Sequence, residues 1–332
     1  MTNSQNRNLT YEGTHFLQKK GLSYDGGTYS LEACLMDRRF FCKGSLYSAL
    51  LGYGPELSKK ARMIDSHVHV WKHTKEFPFA PGANPPDFDI SAEDLLQLMQ
   101  ANGVSCTVLI QVIHYRWDNR YLLDVLHRYP GRFQGVCRVN PEDPAAPDHL
   151  SELTEAGCRG VRLSPDATAK SDWIRGPLMR PLWRRCAELK IPMTLLLPAS
   201  RLPDAAVLID RNPDLKVVID HMADVPAGDV EHLNLLLTMA RYPQVYVKIS
   251  HMWSLSHKSF PYPDVMNQIV RLRDAFGANR LMWGTDWPIL GSELSYSRRV
   301  SLYRDHLGWL STPEREDILY RTVQRVWPFG FE

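Results

Sequence analysis

Eight short apolar segments follow one another from Met63 to the C-terminus, with a stretch of helical character after each one. The segments are MIDSHVHV from Met63, CTVLIQVIH from Cys106, FQGVCRVNP from Phe133 and CRGVRLSP from Cys158. PMTLLLP from Pro192, KVVIDHMAD from Lys216, VYVKISH from Val245 and RLMWGTDWP from Arg280 complete the series. Most are apolar nearly throughout, as parallel strands covered on both faces are. The stretches between them carry helix punctuation. In SAEDLLQLMQANG, Ser91 can cap the helix, Asp94 stands three residues later, and Gly103 can end it in the left-handed region. NRYLLDVLHRYPG closes on Pro130 and Gly131. Strand and helix alternating eight times predict an α/β fold, a (β/α)8 TIM barrel over residues 63–332, which typically needs about 250 residues. An open doubly wound sheet is the competitor, but no GxGxxG follows the first segment.

A barrel of this kind carries its chemistry where the strands end, on the C-terminal rim. Residues i and i+2 of a strand share a face, so His67 and His69 project together. Two convergent imidazoles can bind a metal, hold an anion or move protons. Reading the other strand ends adds Gln111 and His114 from the second, Arg162 from the fourth and His221 from the sixth. Lys248 and His251 come from the seventh and Asp286 from the eighth, whereas the fifth ends in Leu196, Leu197 and Pro198. Each has an ordinary structural explanation: a core histidine bonded to a carbonyl, a loop lysine, a turn aspartate. Buried charges cost several kcal/mol unless paired, so polar groups at so many equivalent positions read as one site.

The composition excludes some partners. With 39 Lys and Arg against 37 Asp and Glu, the net charge is +2, which gives no electrostatic case for nucleic acid or anionic lipid. No apolar run is long enough to cross a membrane. Cys34, Cys42, Cys106, Cys137, Cys158 and Cys186 form no CxxC pair and read as small hydrophobes, which suits a reducing, cytoplasmic setting. Residues 1–62 differ from the rest and read as an N-terminal extension. Within them, Arg38 and Arg39 precede a short apolar segment, as in a twin-arginine export signal, which is the alternative to the cytoplasm. That apolar part is brief, contains Gly52 and Gly54, and is followed by no clean small-x-small cleavage site.

IDSHVHVW, GVRLSP, VVIDHMADVP, YVKIS and LMWGTDWP, in this order, resemble the amidohydrolase-related barrel hydrolases. The branch most similar is that of the sugar lactonases and the 2-pyrone-4,6-dicarboxylate lactonases, which EFPFAPGANPPD after the first strand also resembles. The resemblance implies a hydrolase. His67, His69, His221 and Asp286 match four positions that surround one or two divalent metals in the wider superfamily. The strand-five histidine is missing, and Arg162 and Leu163 stand where a bridging ligand would be on strand four. The implied cofactor set is therefore none required, with a single weak Zn2+ at His67, His69, His221 and Asp286 as the remaining option.

Opening a lactone needs a base for water, donors for the oxyanion and a hold on the ring. The expected assignment makes Asp286 the base, with His67, His69 and His221 polarising the carbonyl and returning the proton. Arg162, Lys248 and Gln111 would bind substrate, and Trp71, Trp253 and Trp287 would line the ring pocket. Few cationic anchors are evident, which favours a sugar lactone or monocarboxylate over a dicarboxylate, although Arg116, Arg120 or Arg175 could contribute from loops. The partner is thus a small lactone or carboxylic acid, with a homo-oligomer left open. A metal-dependent decarboxylase of the same superfamily and a non-catalytic ligand-binding barrel are the alternatives.

Overall fold

The computed structural model describes residues 62–164, 172–289 and 295–330. The expectations placed on the rest of the extension, including Cys34, Cys42, Arg38 and Arg39, lie outside the described residues. Within them, the chain opens with β1 (Ile64–Val68), α1 (Ala92–Asn102), β2 (Cys106–Ile110), α2 (Arg120–Arg128) and β3 (Phe133–Val136). It continues with α3 (Ala146–Glu155), β4 (Val161–Leu163), α4 (Met179–Leu189), β5 (Met193–Leu195) and α5 (Leu202–Asp210). Then come β6 (Val217–Ile219), α6 (Val230–Thr238), β7 (Val245–Ile249), the short α7 (Met252–Leu255), α8 (Pro263–Phe276) and β8 (Leu281–Trp283). The helices α9 (Tyr296–Asp305), α10 (Thr312–Glu316) and α11 (Thr322–Val326) end the chain. Every apolar segment picked from the sequence holds one strand. The punctuation of α1 also forms as read: Ser91 and Asp94 make a reciprocal capping box, and Gly103 ends the helix at φ 72°.

All strand pairs are parallel, β1-β2-β3 in one run and β4-β5-β6-β7-β8 in another. Backbone bonds join the two runs at both seams. Arg162 N–H donates to the Cys137 carbonyl at 2.8 Å, and Asp286 N–H donates to the His67 carbonyl, also at 2.8 Å. Single parallel bridges, Cys137 with Val161 and Val68 with Trp287, mark the same closures. The result is a closed barrel.

Two apolar clusters hold it. One fills the space between strands and helices. The other lies in the barrel interior, with Ile64, Val108, Ile110, Val136, Val218 and Met282, and is completed by Val323, Val326, Trp327 and Phe329 of the C-terminal segment. Cys106, Cys137, Cys158 and Cys186 are buried free thiols, as expected of small hydrophobes. Among the described residues, no helix is long and apolar enough to cross a membrane.

Candidate active site

The β1 histidines reach the interior because the strand is irregular. Ile64 points into the barrel, and strict alternation would then turn His67 and His69 outward. The register shifts between Asp65 and Val68, a bulge that swaps the faces. Asp65 fixes it. One carboxylate oxygen accepts from the backbone N–H of His67 at 3.1 Å and of Thr285 at 3.0 Å, and the other accepts from the Thr285 hydroxyl at 2.6 Å. Burial pushes the Asp65 carboxyl up to about 6.

The far side of the mouth uses backbone handedness instead. After β6, His221, Met222, Ala223 and Asp224 all lie in the left-handed region, at φ 51°, 53°, 54° and 53°. For residues with a Cβ this costs about 1–2 kcal/mol each. Met222 and Ala223 face the core at 1% exposure, so the turn sets His221 and the half-buried Asp224 on its other side. His251 after β7 and Asp286 after β8 are also left-handed, at φ 63° and 52°. Each of these turns folds a side chain back over the mouth instead of letting it run outward along its strand.

The side chains converge. His67 Nε2 and His69 Nε2 are 3.2 Å apart, and Asp286 Oδ1 lies 3.5 and 3.4 Å from them. The His221 ring centroid is 4.6 Å from that of His67, and its Nδ1 is 2.8 Å from Ser250 Oγ. Asp286 Oδ2 accepts from His251 Nδ1, whereas Oδ1 is buried and has no hydrogen-bond partner. Arg299 donates to the backbone carbonyls of Thr285, Asp286 and Ile289 and holds the loop from below. Burial lowers His67 to about 3 and carries His221 well below its ordinary range, so both are neutral in working solution. Burial alone would raise Asp286, but the imidazoles of His221 and His251 hold its carboxyl well below the usual carboxylate range.

The polar residues below this cluster have a different arrangement from the one expected. Arg162 Nε donates to Asp220 Oδ2 at 2.8 Å, and Lys248 Nζ is 3.1 Å from Asp220 Oδ1. Lys248 is wholly buried and meets the Nδ1 end of His67, so the imidazole stands between its ammonium and the convergence point. In this structure its ammonium is engaged with Asp220. Gln111 is turned to the Asp118 carbonyl and Trp71 to the Phe88 carbonyl, both as loop supports. Trp253 packs against His251 at 4.2 Å between ring centroids with the rings tilted by 46°, and Trp287 meets Tyr296 edge-on. Arg120 pairs with Asp118 and Arg175 with Asp204, which leaves Arg116 as the half-buried loop cation without such a pair among the described residues. A cavity of about 400 Å³, lined by Phe79, Pro85, Pro86 and Phe88 with His73 and Asp87, opens in the β1–α1 loop beside the cluster but does not include it.

The sequence reading passed over Asp220, Asp65, Asp224 and Arg299. A signal for Asp220 was present. It stands two residues after the inward Val218, so the alternation that selected the β1 pair also points it inward.

A buried carboxylate ringed by imidazoles at the C-terminal mouth of a closed parallel barrel defines a barrel enzyme with a His/Asp centre. The chain belongs to the amidohydrolase family, whose model matches residues 64–329. It is similar to an L-fucono-1,5-lactonase of Burkholderia ambifaria, at 30% identity over 76% of this chain and 87% of that one. It is likewise similar to a 2-pyrone-4,6-dicarboxylate hydrolase of Comamonas testosteroni, at 31% identity over 70% and 79%. Among solved structures, a candidate 2-pyrone-4,6-dicarboxylic acid hydrolase of Pseudomonas putida superimposes with a TM-score of 0.69 at 29% identity, over 82% of this chain and 99% of that one.

His67, His221 and Asp286 offer ligand atoms within 4.8 Å of one another and could hold a metal ion. The spacing of 3.2–3.5 Å among His67 Nε2, His69 Nε2 and Asp286 Oδ1 is also close to the edge of a tetrahedron built on zinc–ligand bonds of about 2.0–2.1 Å. With the orphaned Asp286 Oδ1, the residues fit a single divalent ion. Such an ion would supply Lewis-acid polarisation of a carbonyl oxygen.

Proposed function

We propose that this chain hydrolyses a lactone, with Asp286 as the base toward water. The observation that carries the reading is Asp286 Oδ1: buried, without a hydrogen-bond partner, and 3.5 and 3.4 Å from the Nε2 atoms of His67 and His69, on a carboxyl held well below the usual range. A carboxylate held so far down is a weak base toward resting water. Water attacking a carbonyl becomes strongly acidic, so the proton transfers as the tetrahedral centre forms. His251 fixes the other oxygen and so fixes the direction of Oδ1. His67, His69 and His221 polarise the lactone carbonyl, and Asp286 returns its proton to the ring oxygen as the C–O bond breaks. The two lactone-opening relatives support this reaction class.

The proposed substrate is rich in hydroxyls and poor in charge. Arg162 is engaged with Asp220, and Arg120 and Arg175 are engaged with other carboxylates. Asp224 follows His221 in the same turn, makes no hydrogen bond or ion pair among the described residues, and has its carboxyl pushed up to about 6 by burial, so that it is an anion above that pH. Such a carboxylate accepts from paired hydroxyls and repels an acid group. Arg116 leaves room for one carboxylate at most. A sugar lactone or a monocarboxylate lactone therefore fits better than a dicarboxylate.

The same reading requires no metal. β5 and the residues after it, through Pro198, supply no ligand-type side chain, and β4 supplies Arg162, a cation. A panel of sugar, monocarboxylate and dicarboxylate lactones, followed by pH indicator with and without chelator, tests all three parts. Hydrolysis of sugar lactones that survives chelation, with no CO2 released from aromatic acids, is the expected result. A folded protein inert toward every lactone would overturn the reading.

A further inference from the structure

At the end of the barrel opposite the histidines, a cavity of about 400 Å³ is lined by Arg241, Arg280 and Arg325, with Tyr246 beside them. Its walls are the loop before β7, the turn before β8 and the helix α11. Arg280 is half-buried and its guanidinium is pinned. Nε donates to the Phe276 carbonyl at 2.8 Å, and the two terminal nitrogens donate to the carbonyls of Tyr242 at 2.7 Å and Ala240 at 3.0 Å. These acceptors are neutral, so they clasp two loops without balancing the charge. Burial draws Arg280 below its ordinary value, and the influence opposing it is the Tyr246 phenol, not a carboxylate. Each terminal nitrogen carries a second N–H beyond these bonds.

The neighbouring cations repeat the pattern. Arg241 is exposed and donates to the Tyr242 hydroxyl at 2.6 Å, and Lys216 donates to the Arg325 carbonyl at 2.5 Å. Arg325 is the member with a carboxylate, Asp317 at 2.8 Å. Among the described residues, these four cations share that one carboxylate within ion-pair distance, and Asp210 acts on Arg241 from farther away. Clasping loops accounts for Arg280. It does not account for Arg241, which brings a second guanidinium to the same cavity. A carboxylate would occupy one such fork. A phosphate group carries about two charges and three strong acceptor oxygens, enough to engage forks from more than one wall. We propose that this cavity binds a small soluble molecule through a phosphate group held by Arg241, Arg280 and Arg325. It is a binding site and not a second active centre, since the chemistry of such barrels sits at the other rim. The proposal stands whether or not the substrate is a lactone.

The test uses the full chain and pyrophosphate, titrated by calorimetry at fixed ionic strength because exposed charges are screened by salt. Wild type should bind saturably at one site. Arg241→Gln and Arg325→Gln, both at exposed positions, should each weaken binding by about 10-fold or more, the weight of one charge-assisted hydrogen bond. Asp286→Asn, at the opposite end, should bind as wild type. Vesicles of phosphatidylcholine with phosphatidic acid separate a soluble ligand from a lipid headgroup, and the chain should stay in the supernatant. Binding unchanged in both arginine variants places the anion elsewhere and overturns the proposal. Sedimentation with the vesicles that depends on Arg241 overturns the soluble ligand. Absence of saturable binding by wild type overturns the site itself, a result that needs no variant to fold.

Discussion

Asp286 combines two properties that usually exclude each other: it is nearly inaccessible and it is ionised. Burial alone would protonate it, and the imidazoles around it prevent that. If its free oxygen takes the water's proton, Asp286→Asn keeps the shape, the backbone bonds to Arg299 and the neighbouring rings, and loses the base. Turnover should fall by about 10²–10⁴-fold, while a sugar lactone still raises the melting temperature of the variant. Near-normal kcat in Asp286→Asn would remove it from the chemistry. The four residues of this centre were legible because period-2 alternation and strand ends are local properties of a sequence. The sequence shows that Lys248 lies on the inner face of β7, but not that Asp220 and His67 Nδ1 are its neighbours there, because those contacts cross strands. Nor does a sequence announce four successive left-handed residues at His221–Asp224, since none is glycine and the surrounding packing imposes the conformation.

At the scale of the element, the seam between β1 and β8 decides where the site's two halves meet. Asp65 ties the bulge of β1 to Thr285 of the β8 loop through three hydrogen bonds, so its state couples stability to pH. Its folded value of about 6 lies above the ordinary 3.8. The folded chain thus holds this proton more tightly than the unfolded chain does. The stabilisation is complete below pH 3.8 and is lost as pH rises through about 6. Asp65→Asn removes the titration and keeps an acceptor for the two backbone N–H groups. The variant should therefore gain on wild type between pH 4 and 7, by up to about 3 kcal/mol, read as the difference in urea midpoints across that range. A difference that does not change with pH would show that Asp65 does not titrate in this window. The eight strands themselves were plain in the sequence, since parallel strands buried on both faces write continuous apolar runs. The bulge was not, because nothing in IDSHVHV distinguishes an irregular strand from a regular one.

The whole barrel is a ring of very short strands, several only three residues long. So few ladder bonds leave much of the ring's rigidity to whatever fills it. The upper half is filled by the polar centre, where Asp220, Arg162, Lys248 and the imidazoles brace one another. The lower half is filled from outside the barrel's own strands, by Val323, Val326, Trp327 and Phe329 packing against Ile64, Val108, Val136, Val218 and Met282. Trp327 joins the two halves: it is fully buried, and Lys248 Nζ lies 5.2 Å from the centre of its ring. A lysine over an indole face is attracted by the ring quadrupole, so the floor of the barrel helps to hold this buried cation beside Asp220. Trp327→Ala would open a large void under the site and should cost about 3–5 kcal/mol of stability. Trp327→Phe, which keeps an aromatic face and loses less volume, should cost less. The two variants separate packing from support of the centre. If the floor only fills space, kcat of each folded variant stays at the wild-type value in the cold while its urea midpoint drops. If it also holds Lys248, Trp327→Ala loses turnover under conditions where its circular dichroism is still that of the folded barrel, and Trp327→Phe retains most of it. The second outcome is the expected one, because among the described residues Trp327 is the aromatic ring recorded under that buried ammonium.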